Sequence, residues 1–116
     1  MTQVNKNNLS NIETARLSDD ETASALANDR PFRRLENIDL QSYEFSHILV
    51  DPPRAGLSDE TIKLSKQFKN MIYISCNPDT FLRDIAKLNR KIESIAMFDQ
   101  FANTQHLEVV ALLKNR

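Results

Sequence analysis

A chain of 116 residues suffices for one small domain with a single core. Its 41% hydrophobic and 27% charged residues are ordinary for a globular protein, and no apolar run approaches the roughly 20 residues that cross a bilayer. With 15 basic against 16 acidic residues, the formal charge of −1 argues mildly against a surface that grips nucleic acid unaided, since phosphate neutralisation supplies most of that affinity. The amino terminus, MTQVNKNNLS, lacks the apolar segment of a signal peptide. One cysteine makes no internal disulfide, and the natural compartment is a reducing cytoplasm. Gly56 is the single glycine, so the chain has no Gly-rich turn of the kind that brings a backbone close to a nucleotide.

The elements are read in chain order. Residues 2–9 are polar and suit the tail of a helix, and 12–17 is an ambiguous strand candidate. Ser18 followed three residues later by Glu21 has capping-box spacing, which predicts a helix to about Ala27. The Arg-rich stretch around Pro31 reads as a connection or a short helix. Residues 45–50 form a strand that must stop at Asp51-Pro52-Pro53. Ser58, with Asp59 and Glu60 behind it, caps a helix predicted to reach about Lys69, with Ile62, Ser65 and Phe68 near one face.

The apolar run 71–75 is a strand, and Phe81, Leu82, Ile85 and Leu88 give helical spacing over 79–88. Two more strands, 92–98 and 107–113, have no helix between them, which predicts an antiparallel pair at one edge. Alternating strands and helices define an α/β class with parallel βαβ units. In such a sheet the strand carboxyl ends share one rim, where open α/β sheets bind their ligands. Asp51 and Cys76 both fall at such ends.

Three places carry candidate chemistry. Cys76, in Ser75-Cys76-Asn77-Pro78, is either a small buried apolar residue or a thiolate nucleophile facing the rim. Asp51, in Asp51-Pro52-Pro53-Arg54, is either a turn former or a carboxylate on a rigid rim that meets a polar ligand. Alternation sets Glu108 on the same face as Val110, a carboxylate beside a buried valine, which is either a candidate proton acceptor or an edge-strand charge that discourages aggregation. His106 has no partners with which to hold a metal.

Taken together, DPPRAGL (51–57), YISCNPDT (73–80) and FDQFANTQHLE (98–108) resemble, in order and spacing, the motifs of the RNA uracil-5-methyltransferases. The linker RPFRRLENIDLQSY (30–43) resembles the tRNA-modifying branch that forms ribothymidine in the T-loop. The likeness covers nearly all 116 residues, more loosely before Arg30. It implies the carboxyl-terminal portion of a Rossmann-like domain dependent on S-adenosylmethionine, acting on tRNA, without metal or membrane. It further implies Cys76 as nucleophile, Glu108 as proton acceptor, Asp51 as a methyl-donor contact and Arg54 as an RNA contact. Ala102-Asn103 departs from the family pattern, in which proline precedes another residue, and bears on the aim of Glu108.

The residue types suit that chemistry. C5 of uracil is too weak a nucleophile to take a methyl group directly, and a thiolate adding at C6 activates it. A carboxylate then removes the C5 proton. The expectation is that Asp51, Cys76 and Glu108 face one cavity on the same rim. The resemblance also implies that the Gly-containing cofactor turn, the ribose-binding acid and an upstream RNA-binding module are absent from the chain, so that it acts poorly alone. Within the enzyme class, the alternative is methylation of ribosomal RNA. Outside it, the alternative is a non-catalytic remnant that keeps the motifs.

Overall fold

The computed structural model describes residues 10–99 and 107–116, which form two compact units, Met1–Glu44 and Phe45–Arg116. Among its described residues the first unit contains one α-helix, α1 (Asp19–Leu26), and two 3₁₀ turns, Arg33–Leu35 and Leu40–Ser42. The capping box forms as the spacing predicts. Glu21 N–H donates to Ser18 Oγ at 3.1 Å, and Ser18 N–H donates to Glu21 Oε1 at 3.0 Å. The Ser18 backbone N–H foremost, and then the Ser18 hydroxyl, hold the Glu21 carboxyl below its ordinary range.

The strand expected over 12–17 does not form. These residues run without regular structure, and Ile12 is 46% exposed. Among the described residues of this unit no strand stands beside them to satisfy an extended backbone, so apolar residues there do not suffice. Instead Arg34 donates to the Arg16 carbonyl at 2.8 Å, and the Tyr43 hydroxyl donates to the Glu13 carboxylate. Residues 2–9 lie outside the described residues.

The second unit is an α/β layer. Its strands are β1 (His47–Val50), β2 (Asn70–Ser75), β3 (Lys91–Phe98) and β4 (Glu108–Lys114), with helices α2 (Asp59–Ser65) and α3 (Pro78–Leu88). The sheet order is β1-β2-β4-β3. β1 and β2 pair in parallel across the α2 crossover, whereas β4 is antiparallel to both β2 and β3. The sheet is therefore mixed, with its parallel character in the β1–α2–β2 unit. The expected antiparallel pair does occupy one side, with β4 set against β2 and β3 the outer strand of the two.

Alternation sorts the side chains. Met71, Tyr73 and Ser75 of β2 and Val109, Ala111 and Leu113 of β4 are buried on one face. There all but Ser75 form one core with Leu57, Ile62, Phe81 and Leu88. Tyr73 and Phe81 meet edge to face with centroids 5.3 Å apart. On α3 the buried stripe is Phe81, Asp84 and Leu88, while Leu82 is 65% exposed. Leu82 lies about 100° around the helix from Phe81, which swings it off the core face.

Helix α2 stops at Ser65, short of the predicted Lys69. Beyond it the amides of Lys66, Gln67 and Phe68 bond three residues back instead of four. The buried guanidinium of Arg90 accounts for the stop. It donates to the carbonyls of Ser65 (2.6 Å), Phe68 and Lys69 (3.0 Å), satisfying groups that a longer helix would have kept for itself.

Candidate active-site rim

Because β1 and β2 are parallel, Val50 and Ser75 end on the same side of the sheet, and Asp51 and Cys76 follow them. β4 runs the other way, so its first residue, Glu108, arrives at that same side. Ser75 pairs with Val109, and continuing that register by one residue sets Cys76 opposite Glu108. On its other flank Glu108 pairs with Phe98. The three residues named from sequence thus converge on one rim. They also share one side of the sheet by alternation, the side of Ile72, Ile74 and Val110.

One premise is corrected. Val110 is only half-buried; the buried valine of β4 is Val109, on the face opposite Glu108. Glu108 is therefore a half-buried carboxylate at a rim, not one enclosed beside a core valine. His106, Ala102 and Asn103 lie outside the described residues, as does most of the connection between β3 and β4.

Cys76 is half-buried and sits in a tight turn. The Ser75 hydroxyl accepts the Asn77 N–H at 3.1 Å and donates to the Asn77 carbonyl at 3.0 Å, closing the backbone around the cysteine. Asn77 then caps α3 by accepting the Asp79 N–H at 3.2 Å, with Pro78 as the first helical residue. Strand end, turn and helix start all occur within three residues. The thiol is held outside the core by local chemistry alone.

The loop from Asp51 to Leu57 is held against α3 through its own backbone. The Arg54 carbonyl accepts from Asn77 Nδ2 and from Thr80 Oγ1, each at 3.0 Å. Arg83 Nη2 donates to the Ala55 carbonyl at 2.7 Å. Leu57 N–H donates to Asp84 Oδ2 at 2.8 Å, and the same oxygen accepts the Tyr73 hydroxyl at 2.6 Å. Burial, and then the bond to Asp84, pushes the Tyr73 phenol above its ordinary range and keeps it a donor. Asp84, Arg83, Thr80 and Asn77 were not singled out from sequence. The available signal was the spacing of Phe81, Asp84 and Leu88, which sets a carboxylate in the middle of a buried stripe.

Gly56 has φ +86°, and its missing side chain leaves the space that Arg83 and Asp84 fill. The one glycine therefore serves packing against α3, not approach to a ligand. Among the described residues Asp51 and Glu108 are the carboxylates at this rim, and no group of three or more His, Cys, Asp or Glu gathers to hold a metal. No helix among them is long and apolar enough to cross a membrane.

A thiol and two carboxylates at the carboxyl rim of an α/β sheet stand where open sheets of this class bind their ligands. The whole chain, residues 1–116, matches the model of the family described as tRNA (Uracil-5-)-methyltransferase, and the chain belongs to that family. A tRNA/tmRNA (uracil-C(5))-methyltransferase of Teredinibacter turnerae is 50% identical over 115 residues, covering 97% of this chain and 32% of the relative. One of Acinetobacter baylyi is 51% identical, covering 96% of this chain and 32% of the relative. The chain thus spans about a third of the length of these relatives.

Among solved structures, the Pyrococcus abyssi tRNA (uracil-54, C5)-methyltransferase in complex with S-adenosyl-L-homocysteine superposes with a TM-score of 0.55 at 41% identity. That match covers 62% of this chain and 19% of the other.

Proposed function

We propose that this chain supplies the nucleophile-bearing part of an enzyme that transfers a methyl group from S-adenosylmethionine to C5 of a uridine in tRNA. The observation that carries the reading is the convergence of Cys76 and Glu108 on one rim, through the β2–β4 register, in a member of this family. Cys76 Sγ adds to C6 of the base, and the displaced electron pair makes C5 nucleophilic. C5 takes the methyl group from the sulfonium donor. Glu108 removes the C5 proton, the C5–C6 double bond re-forms, and the thiolate leaves. The base must first be turned out of its stack to reach the rim.

Asp51 contacts the methyl donor and Arg54 the RNA. The remaining donor contacts, a Gly-containing turn and a ribose-binding acid, come from a segment outside these 116 residues. The compartment is the cytoplasm, in keeping with a lone reduced cysteine.

The test joins the chain to the segment that precedes the matched region in the T. turnerae relative. Formation of 5-methyluridine in a tRNA transcript, and capture of a 5-fluorouracil-containing RNA that Cys76→Ala abolishes, is the expected result. Undiminished capture by the alanine variant would remove Cys76 from the role. The non-catalytic alternative predicts no 5-methyluridine and no capture by the parent.

A further inference from the structure

Outside the rim residues themselves, the most connected polar group in the second unit is Asp84. It is fully buried, and its two oxygens accept from three different elements: the Leu57 amide of the loop, the Tyr73 hydroxyl of β2, and Arg83 of α3 through Nε (3.2 Å) and Nη2 (2.9 Å). Arg83 extends the set by donating to the Ala55 carbonyl, and Thr80 and Asn77 hold the Arg54 carbonyl. Three backbone groups between Arg54 and Leu57 are therefore fixed to the helix that begins two residues after Cys76.

A buried carboxylate is costly to desolvate, and a polar network with every member satisfied can fix one geometry among its partners. Loops at functional rims otherwise have little to hold them. Here a buried carboxylate, paired with a partly exposed guanidinium, is turned toward a short loop that bears Asp51 at one end and Arg54 in the middle.

We infer that Asp84 and Arg83 are positioning residues: they clamp the 51–57 loop to the Cys76 strand end, so that Arg54 and Asp51 stand at a fixed offset from the thiol. The inference rests on the function proposed above for Cys76, Asp51 and Arg54. Neither clamp residue touches substrate. Tyr73 shares in the clamp by bonding the same oxygen of Asp84 from β2, and Gly56 permits it by leaving room where a Cβ would lie 2.6 Å from Asp84 Oδ2.

The experiment uses the chain joined to the preceding segment of the T. turnerae relative, with Arg83→Gln, Arg83→Lys and Tyr73→Phe beside the parent. Arg83 is partly exposed, so these variants spare the buried carboxylate itself. Three quantities are read: amide exchange at Gly56 and Leu57, the rate of Cys76 alkylation by iodoacetamide, and KM and kcat for tRNA methylation. Arg83→Gln is expected to speed exchange at the two amides at least tenfold and to raise KM for tRNA about tenfold. Alkylation of Cys76 should stay within twofold, because its turn is closed by Ser75 and not by the clamp. Arg83→Lys, which keeps one donor, should recover part of the KM.

Unaltered exchange in both Arg83→Gln and Tyr73→Phe overturns the clamp. Faster exchange with KM unmoved, or with alkylation raised in parallel, reduces it to a fold contact and overturns the positioning role. A parent that forms no 5-methyluridine counts against the proposed function. The exchange arm still decides the clamp in that case, with faster exchange upholding it.

Discussion

The Tyr73 hydroxyl donates to Asp84 across 2.6 Å, between the middle of β2 and the buried face of α3. The two residues are eleven apart in sequence, and the bond spans the turn that carries Cys76. It ties strand and helix together behind the thiol, and through the second partner of the same oxygen, the Leu57 amide, it ties both to the loop.

That bond gives the protein an alkaline limit. The folded state holds the Tyr73 proton more tightly than an unfolded tyrosine, whose ordinary value is near 10. The stabilisation is therefore complete below about pH 10 and is lost as the pH rises beyond it. Tyr73→Phe should cost about 1 kcal/mol at neutral pH by leaving an acceptor one partner short. Its urea midpoint should also fall less steeply than the parent's as the pH rises above about 10. Equal slopes for parent and variant would show that Tyr73 does not govern the alkaline limb.

How legible this was depends on the range of the interaction. The Ser18–Glu21 capping box, the strand stop at Pro52 and the turn after Ser75 are local, decided within four residues, and the sequence spells them out. The insertion of β4 between β2 and β3 is not local; hairpin order alone leaves open which flank β4 takes. Asp84 was only half legible for a similar reason: its spacing with Phe81 and Leu88 puts it in the apolar stripe, but nothing local names its partners. A carboxylate between Arg83 and Ile85 reads as a solvated helix face until its partners arrive from Leu57 and Tyr73. Arg90 likewise reads as a surface charge, yet it ends a helix that starts more than thirty residues earlier.

Gly56→Ala should be among the more damaging single-methyl changes in the chain. Its φ of +86° is costly for an L side chain, and the new Cβ would lie 2.6 Å from Asp84 Oδ2. Backbone strain of about 1–3 kcal/mol, with some displacement of the Arg83–Asp84 pair added, predicts a clear drop in the thermal midpoint. Calorimetry checks it. A midpoint within a degree of the parent's would mean that the loop relocates freely.

Arg90→Met keeps the length of the side chain and removes its donors. The carbonyls of Ser65, Phe68 and Lys69 then lose the group that closes α2. A loss of about 2–4 kcal/mol is expected, from buried acceptors left short of partners and a cation removed from a helix carboxyl end. Denaturant titration followed by circular dichroism measures it, and a loss below about 1 kcal/mol would mean that water replaces the guanidinium.

In the joined enzyme, Cys76→Ala should lower turnover by about a thousandfold or more, since addition at C6 has no substitute in the chain. Glu108→Gln should differ in kind. The covalent adduct still forms, and its release slows by about 10²–10⁴-fold, the usual worth of a general base. Trapping the adduct on a denaturing gel separates the two variants. Rapid release by Glu108→Gln would leave proton removal to another group.

Kept apart from any other segment, the 116-residue chain is expected to self-associate. β1 ends the sheet order, so one side of His47–Val50 has no strand beside it among the described residues. Leu49 on that strand is 60% exposed, and Phe98, on the same sheet face by register, is 49% exposed. An apolar edge strand without charge or bulge is a template for pairing with another chain. A chain this short also buries only about 60–70% of its unfolded surface, which leaves a thin margin of stability. Size-exclusion chromatography at micromolar concentration should show species larger than the 13.3 kDa monomer. Leu49→Lys, which puts a charge on the open edge without touching the core face of Ile48 and Val50, should return it toward monomer. A parent that elutes as a monodisperse monomer with a protected β1 backbone would show that the edge is already satisfied within the chain.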